Sequence, residues 1–485
     1  MINWRTIHYI SYIALIFFAF EPSYLHPDEH FQTFEVLTNY HLGYRTTIPW
    51  EFSINPSRSF AILSLIYSPL ILLNKFFKFP PIGLLYLFRL QFLVTYFFIA
   101  HYTTRILSNN IKKEYTKSLF FIFTSYITWT YQSHSFSNSI ETQLLLITLS
   151  IIHLILKGKT KTPEYLLTFL LGILIPIGEF NRITFIGFLI LPSIKLIKHY
   201  WTFKFSALLL VSTIVLISYI LILIDTKFFG SDNYIITPLN NLLYNTEIES
   251  LQHHGLHPRY THILINLPQI IGPIIIPFLF RNHYKSSLSY LSVWSGIISL
   301  SIFPHQELRF LIPLLPLVSN CIDFQSMENP NTVNRIIKVW IGFNLFFGIL
   351  MGSLHQRGVL VALEYLRSNN YEGSQIWWKT YKPPTWLLGS TDLNISIDEI
   401  QHGNNNLVDL MGAHSSKLVE AISVLGNDII LITPRSSIPI LESINKTISY
   451  ELIWRYHYHL DFDHFDFDDM RTFHPGIDIY SVSLL

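Results

Sequence analysis

The sequence predicts an all-α polytopic membrane protein that carries a small α/β domain at its C-terminal end. Three observations predict this. Of 485 residues, half are apolar, 15% are aromatic and only 13% are charged, about half the charged share of an ordinary soluble domain. Apolar runs close to the ~20 residues a helix needs to cross hydrocarbon recur along the chain. From about residue 356 they give way to the patterning of a soluble domain, which divides the chain into a membrane domain, 1–355, and a C-terminal domain, 356–485. The formal charge of +1 supplies no cluster of excess Lys and Arg, so nucleic-acid binding is excluded. The lone Cys321 lies in an apolar run, can form no internal disulfide and says nothing of redox compartment.

Taken in order, hydropathy predicts about eleven transmembrane helices, near 4–20, 82–104, 117–133, 138–156, 163–179, 183–197, 204–225, 263–280, 286–303, 307–322 and 337–355. The first follows Arg5 and runs into Glu21 and Pro22 rather than a small-residue cleavage site, which reads as an uncleaved signal anchor. The stretch 61–74 is the ambiguous one, being short and interrupted by Pro69, and reads as an interfacial or re-entrant helix. Counting it as a span would invert everything after it. With 61–74 left out and the N-terminus cytosolic, the basic connectors Lys112 to Lys117, Lys157 to Lys161, Lys195 to Lys204 and Arg281 to Lys285 all fall on the cytosolic side, as the positive-inside rule requires. The C-terminal domain is then luminal. Within it 415–425 has helical periodicity, while 428–433 and 448–460 read as strands. The Asn-x-Ser/Thr acceptors Asn394 and Asn445 lie there as candidate glycosylation sites. The acidic run Asp461 to Asp469 reads as a solvated surface.

Five polar clusters fall on the non-cytosolic side. His26-Pro27-Asp28-Glu29-His30-Phe31-Gln32 opens the first connector; two adjacent carboxylates can activate a hydroxyl once desolvation raises their basicity, or Asp28 can simply cap a helix over 29–38. Ser133 to Glu141 includes Asn138 and Glu141, and Glu141 either lines a polar cavity at membrane depth or belongs to a capped helix start. In Glu179-Phe180-Asn181-Arg182 the carboxylate and guanidinium can pair with each other, and Arg182 matches phosphate geometry. The long connector 226–262 carries Tyr244-Asn245 and His253-His254-Gly255-Leu256-His257-Pro258-Arg259. Its histidines lack the i, i+4 spacing of helical zinc sites, so no metal is expected, and His254, His257 and Arg259 read as sugar or phosphate ligands. Finally His305-Gln306-Glu307-Leu308-Arg309-Phe310 places His305, Glu307 and Arg309 at a helix end, where Arg309 can also act as an interfacial anchor. A transporter or lipid flippase would share the hydropathy, but transporters keep polar groups near the midplane, and a scaffold leaves one-sided clusters unexplained. The rim placement suits an enzyme acting on lipid-linked sugars.

These residues resemble the dolichol-phosphate-mannose-dependent mannosyltransferases of glycosyltransferase family 22, which have the GT-C architecture. The resemblance rests on His-Pro-Asp-Glu at 26–29, Phe136 to Glu141, Asn181-Arg182, Tyr244-Asn245 through Pro258, and His305 to Phe310. Within the family, His26 to Gln32 and Lys379-Thr380-Tyr381-Lys382-Pro383-Pro384-Thr385-Trp386 most resemble the members that add a fourth mannose to glycosylphosphatidylinositol (GPI) precursors. Gln306-Glu307-Leu308 departs from the more charged Lys-Glu-Glu of many relatives. The resemblance implies an endoplasmic-reticulum membrane enzyme with a luminal active site and an inverting transfer. Mannose would pass from dolichyl-phosphate mannose in α-1,2 linkage to the third mannose of a GPI precursor. It implies Asp28 as base with Glu29 second, and Arg182, His257, Arg259 and Arg309 around the leaving phosphate. His26, His30, Asn138, Glu141, His254, His305 and Glu307 complete the expected substrate site. No metal or cofactor is required beyond the lipid donor. Another GPI intermediate or the lipid-linked N-glycan precursor is the alternative acceptor.

Overall fold

A computed structural model describes residues 4–53, 55–158, 161–247, 255–280, 285–323, 330–371, 373–397, 406–426 and 428–485. The chain divides into two compact units. One comprises Met1–Ala19, Trp50–Ile66 and Arg89–Phe346; the other comprises Phe20–Pro49, Tyr67–Phe88 and Phe347–Leu485.

Among the described residues, seven helices are long and apolar enough to cross a membrane: Phe60–Phe77, Pro81–Leu107, Ser137–Lys157, Glu164–Asn181, Lys204–Phe229, His262–Phe280 and Pro330–Leu354. Tyr9–Ala19 and Leu288–Ser301 are shorter apolar helices. The expected count of eleven is not confirmed, and two of the expected stretches are interrupted. The 117–133 stretch breaks into helices Lys112–Phe123 and Tyr126–Thr130. The N–H of Tyr126 freed at the break donates to Asn344 Oδ1 at 2.7 Å, and Trp340 donates to the Thr124 hydroxyl at 2.8 Å, the internal satisfaction that irregular backbone at membrane depth needs. The 307–322 stretch is divided at Pro313 into a short 3-10 turn, Leu308–Leu311, and the helix Leu314–Ser319. Conversely, the doubted 61–74 stretch belongs to an 18-residue helix, Phe60–Phe77, with Pro69 inside it, so its shortness no longer argues against its spanning. Its first turn is capped from another helix: the Asp225 carboxylate accepts the Ala61 N–H at 2.9 Å and the hydroxyls of Ser59 and Thr237 at 3.1 and 3.2 Å.

Helix packing in the first unit uses small residues and hydroxyls, as lipid-embedded helices do. A Cβ added to Gly187 would lie 2.4 Å from Ser299 Oγ, and one added to Gly296 would lie 2.4 Å from the Phe188 ring. The hydroxyls of Ser295 and Ser292 donate to the carbonyls of Gly187 and Phe188 at 2.6 and 2.9 Å. The Thr184–Thr202 and Leu288–Ser301 helices are thereby locked at close range. By contrast Lys204–Phe229, which holds the most apolar stretch of these seven helices, is barely buried, leaving Leu208, Val211, Val215 and Leu216 exposed where lipid would cover them.

In the second unit, strands β1 (Ser374–Trp377), β2 (Asn394–Ile397), β3 (Asn406–Asp409), β4 (Ile429–Pro434), β5 (Ile448–Tyr456) and β6 (Ile477–Leu484) form one sheet of order β2-β3-β1-β4-β6-β5. β2, β3, β1 and β4 are parallel, and β6 and β5 continue antiparallel. The helix Ser415–Leu425 lies where periodicity predicts it, and its Leu418, Ala421 and Ile422 pack with Val408, Ile429 and Leu431 of the sheet. Asn394 stands exposed at the start of β2, and Asn445 is exposed in the turn before β5. The acidic run is solvated at Asp463, Asp466 and Asp468, which are exposed, but its first residue departs from that expectation: Asp461 is buried, bonded to Ser436, Gln356 and His464.

Candidate active site

The acidic segment lies in the same compact unit as the C-terminal sheet. After Pro27 the chain turns into a helix, with the N–H groups of His30 and Phe31 donating to the Pro27 carbonyl at 2.9 and 3.1 Å. Successive helical residues point about 100° apart, so the two adjacent carboxylates face different surroundings. Asp28 keeps 20% of its side chain exposed and lies 3.4 Å from His26 Nδ1. Gln32 donates to its Oδ2 at 2.5 Å. Glu29 and His30 have no exposed side-chain surface and lie 3.8 Å apart. His30 Nδ1 accepts the Trp386 indole N–H at 3.1 Å. As folded here, then, Glu29 and His30 are interior groups that shape the helix start, while Asp28 and the half-exposed His26 can meet a substrate.

The 379–386 segment is the other half of this structure. The Tyr24 hydroxyl donates to the Lys382 carbonyl at 2.7 Å, and Lys382 Nζ sits 4.9 Å over the Phe31 ring. Glu35, fully buried one turn past His30, accepts the Thr385 hydroxyl at 2.9 Å, the Trp386 N–H at 3.2 Å and the Thr47 N–H at 3.1 Å. Burial pushes the Glu35 carboxyl up to about 7 against these stabilising bonds.

In the first unit the expected Glu179–Arg182 pairing gives way to a different one. Arg182 Nε lies 3.4 Å from Glu141 Oε2, and Thr184 bridges them, donating to Glu141 at 2.6 Å and accepting from Arg182 at 3.3 Å. Arg182 also donates to the Ser137 hydroxyl at 3.1 Å, and Asn181 donates to the Ser137 carbonyl at 3.0 Å. Burial, with Arg58 nearby, lowers the Arg182 guanidinium to about 10, which leaves it cationic at neutral pH. Asn138 is fully buried, and neither amide atom has a protein partner among the described residues; Gln132 is in the same state.

Arg182 and Arg309 flank one ring, their guanidinium carbons 5.1 and 5.7 Å from the Phe310 centroid. Arg309 donates to both Glu307 oxygens, one of them at 3.0 Å, and His305 Nε2 lies 2.7 Å from the same carboxylate. Burial lowers the His305 pKa, but the hydrogen bond and charge of Glu307 outweigh it and raise the imidazole above its usual value. Gln306 is the hinge pin beneath. Its amide oxygen accepts the His262 N–H at 2.9 Å and its amide nitrogen donates to the Phe303 and Arg259 carbonyls at 3.1 and 3.3 Å. Its backbone N–H lies 3.4 Å from His257 Nδ1. A neutral amide that donates and accepts does this structural work, which a lysine could not. His257 and Arg259 are exposed at the end of the long connector. His254 lies outside the described residues. Among the described residues no three His, Cys, Asp or Glu groups gather closely enough to hold a metal ion.

Residues 6–389 match the sequence profile of the Alg9-like mannosyltransferase family. The chain belongs to this family. It is 41% identical to GPI mannosyltransferase 4 of Debaryomyces hansenii, covering 99% of this chain and 98% of the relative. It is also 41% identical to the Candida albicans protein of that name, over 99% of each, and 38% identical to that of Saccharomyces cerevisiae, over 98% of each. Among solved structures, ArnT from Cupriavidus metallidurans bound to undecaprenyl phosphate superposes with a TM-score of 0.56 and 9% identity over 98% of both chains. That likeness shows the shared GT-C membrane fold alone.

For this Alg9-like mannosyltransferase, sequence reasoning missed Arg58, Glu51, Thr184 and Glu35. Arg58 pairs with Glu51 at 3.0 Å and reaches Ser137 at 3.5 Å, placing a third cation near Arg182; a lone arginine just before an apolar run was its only mark in the sequence. Glu35 was marked as an acid among Phe31, Phe34, Val36 and Leu37.

Proposed function

We propose that this mannosyltransferase takes mannose from dolichyl-phosphate mannose and adds it in α-1,2 linkage to the third mannose of a GPI precursor, in the lumen of the endoplasmic reticulum. Full-length similarity to proteins called GPI mannosyltransferase 4 supports the acceptor. The observation that carries the chemistry is the exposure of Asp28 beside His26, in contrast to its buried neighbour Glu29.

The transfer inverts β-linked mannose to α-linked mannose in one displacement, so a single base suffices and the paired carboxylates of retaining glycosidases are unnecessary. Asp28 accepts the proton of the acceptor hydroxyl as its oxygen bonds to the anomeric carbon. The bond from that carbon to the phosphate oxygen breaks, and dolichyl phosphate departs with the electron pair. For the growing phosphate charge the first unit offers Arg182 and Arg309 as candidate cations, with His257 and Arg259 exposed at the end of the long connector. A lipid phosphate is already a competent leaving group, so the step requires no metal and no cofactor.

The test is transfer from labelled dolichyl-phosphate mannose to a defined trimannosyl GPI acceptor by the purified full-length protein. A four-mannose product is expected. Transfer only to an earlier GPI intermediate or to the N-glycan precursor would overturn the assignment of acceptor.

A further inference from the structure

In the first unit the exposed end of the long connector, 255–259, is fastened to the segment 304–306. The His257 N–H donates to the Pro304 carbonyl at 2.8 Å. The Gln306 side chain donates to the Arg259 carbonyl at 3.3 Å, and the Gln306 N–H donates to His257 Nδ1 at 3.4 Å. His305 adds a tie of a different kind. Its Nδ1 lies 3.2 Å from the Gly255 carbonyl oxygen and its Nε2 lies 2.7 Å from Glu307 Oε1.

Both of these partners accept and neither donates. A peptide carbonyl has no proton to give, and Glu307 takes bonds from Arg309 at both of its oxygens, as a carboxylate does. A neutral imidazole carries one N–H and can satisfy one of the two; satisfying both requires the imidazolium, which donates at each nitrogen. The electrostatics agree with the geometry. Burial and Arg309 lower the His305 pKa, yet Glu307 and the Gly255 carbonyl outweigh them and raise it above the ordinary 6.5. With both nitrogens engaged and 11% of its side chain exposed, His305 is placed to hold the connector. The path to the candidate phosphate cations is short. The rings of His257 and His305 are 6.2 Å apart, and His305 lies 5.5 Å from Phe310, the ring that Arg182 and Arg309 flank.

We propose that His305 is a charge-dependent positioning residue: as the imidazolium it ties the Gly255 carbonyl to Glu307, and so holds the connector bearing His257 and Arg259 against the segment bearing Arg309, ready for the donor phosphate. Loss of one proton leaves a single N–H between two acceptors. Either the carbonyl or the carboxylate then meets a lone pair, and the tie opens. His305 is charged below its raised pKa, so the tie is present in acid and is lost as pH rises through a value above 6.5. Besides Glu307 and Arg309, the titratable groups facing this ring are His257 and His262. His262 Nδ1 is held by the Asn266 amide at 3.0 Å. His257 accepts the Gln306 N–H, so its protonation loosens the connector on the acid side, opposite in direction to His305. The effect on the donor rests on the proposed mannosyl transfer; the imidazolium tie does not.

Hydrogen-exchange mass spectrometry on the full-length protein in nanodiscs reads the tie, and the donor KM reads its consequence. In the unmodified protein the amides of 255–262, corrected for their intrinsic rates, should lose protection as pH rises above neutral. Glu307→Gln keeps an acceptor but removes the charge, and should bring that loss to lower pH. In His305→Phe the same amides should exchange roughly tenfold faster at about pH 6.5, the size of one charge-assisted hydrogen bond, while those of Leu288–Ser301 keep their rate. With labelled dolichyl-phosphate mannose, the donor KM of the unmodified protein should climb over the same alkaline range. In His305→Phe it should start roughly tenfold higher and stay flat there, with the acceptor KM unchanged. Combined with Arg259→Ala, His305→Phe should add little, because it acts through the connector. Full additivity of the two would make His305 a direct ligand and overturn the positioning role, as would an alkaline rise in donor KM that persists in His305→Phe. Protection of 255–262 indifferent to pH and to His305→Phe overturns the tie itself. The expected protection pattern in a protein that transfers no mannose would instead sink the proposed reaction and leave the tie standing.

Discussion

A carboxylate one-fifth exposed beside a histidine can accept a proton from a sugar, whereas its neighbour with no exposed surface can only shape the helix that carries both. Asp28→Asn is therefore expected to lower kcat by about 10²–10⁴-fold, the usual worth of a general base, while the protein still inserts and elutes as a folded species. Glu29→Gln should change the thermal midpoint more than it changes turnover. Equal turnover losses in the two variants, measured at saturating acceptor, would return the base to an open choice. Glu35 gives a pH signature. Its carboxyl titrates at about 7 in the fold against 4.5 ordinarily, so between those values the folded state holds more protons than the unfolded one. Stability then falls as pH rises through that window. The midpoint of the unmodified protein relative to Glu35→Gln is expected to decline from about pH 4.5 to about 7 and to be flat on either side; differential scanning fluorimetry in detergent reads it.

Elements meet through a few close approaches, and two of these can be broken singly. Gly296 has the Phe188 ring where a Cβ would go, so Gly296→Leu should destabilise the protein by about 1–3 kcal/mol through overpacking, seen as a lower thermal midpoint. Trp386→Phe keeps the ring but removes the N–H that His30 Nδ1 accepts; leaving that buried acceptor unmet should cost about 1–3 kcal/mol. Because the Trp386 segment braces the helix bearing Asp28, acceptor turnover should fall along with stability, and a transfer assay on the folded fraction separates the two. The breaks in the 117–133 and 307–322 stretches belong to this scale also. Hydropathy sums over a window and does not register where a backbone leaves the helix, whereas Asn344 and Trp340, more than 200 residues away in sequence, supply the bonds that make the first break affordable.

At the scale of the molecule, Asn445 tests the proposed luminal placement of the C-terminal domain, being exposed in a turn. Expressed in a eukaryotic cell, the protein should lose mass on endoglycosidase H treatment, and Asn445→Gln should remove part of that shift. No glycan at Asn445 or Asn394 would count against a luminal domain. Composition and hydropathy patterning determined that the chain is a membrane protein with a soluble α/β end, because an excess of apolar surface can be hidden only by lipid, and because the 3.6 period of 415–425, the apolar run 428–433 and the alternation near 448–460 mark a helix and two strands, of which β5 ends at Tyr456 and β4 is buried on both faces. The motifs likewise marked Asp28, Arg182 and Arg309 as chemical groups. Only the tertiary structure decided that Asp28 keeps some exposed surface while Glu29 keeps none, that Arg182 pairs with Glu141 rather than Glu179, and that Trp386 and Thr385 brace His30 and Glu35. Burial and partnership depend on what the rest of the chain brings to a residue, and contacts between positions some 350 residues apart leave no periodicity in either segment.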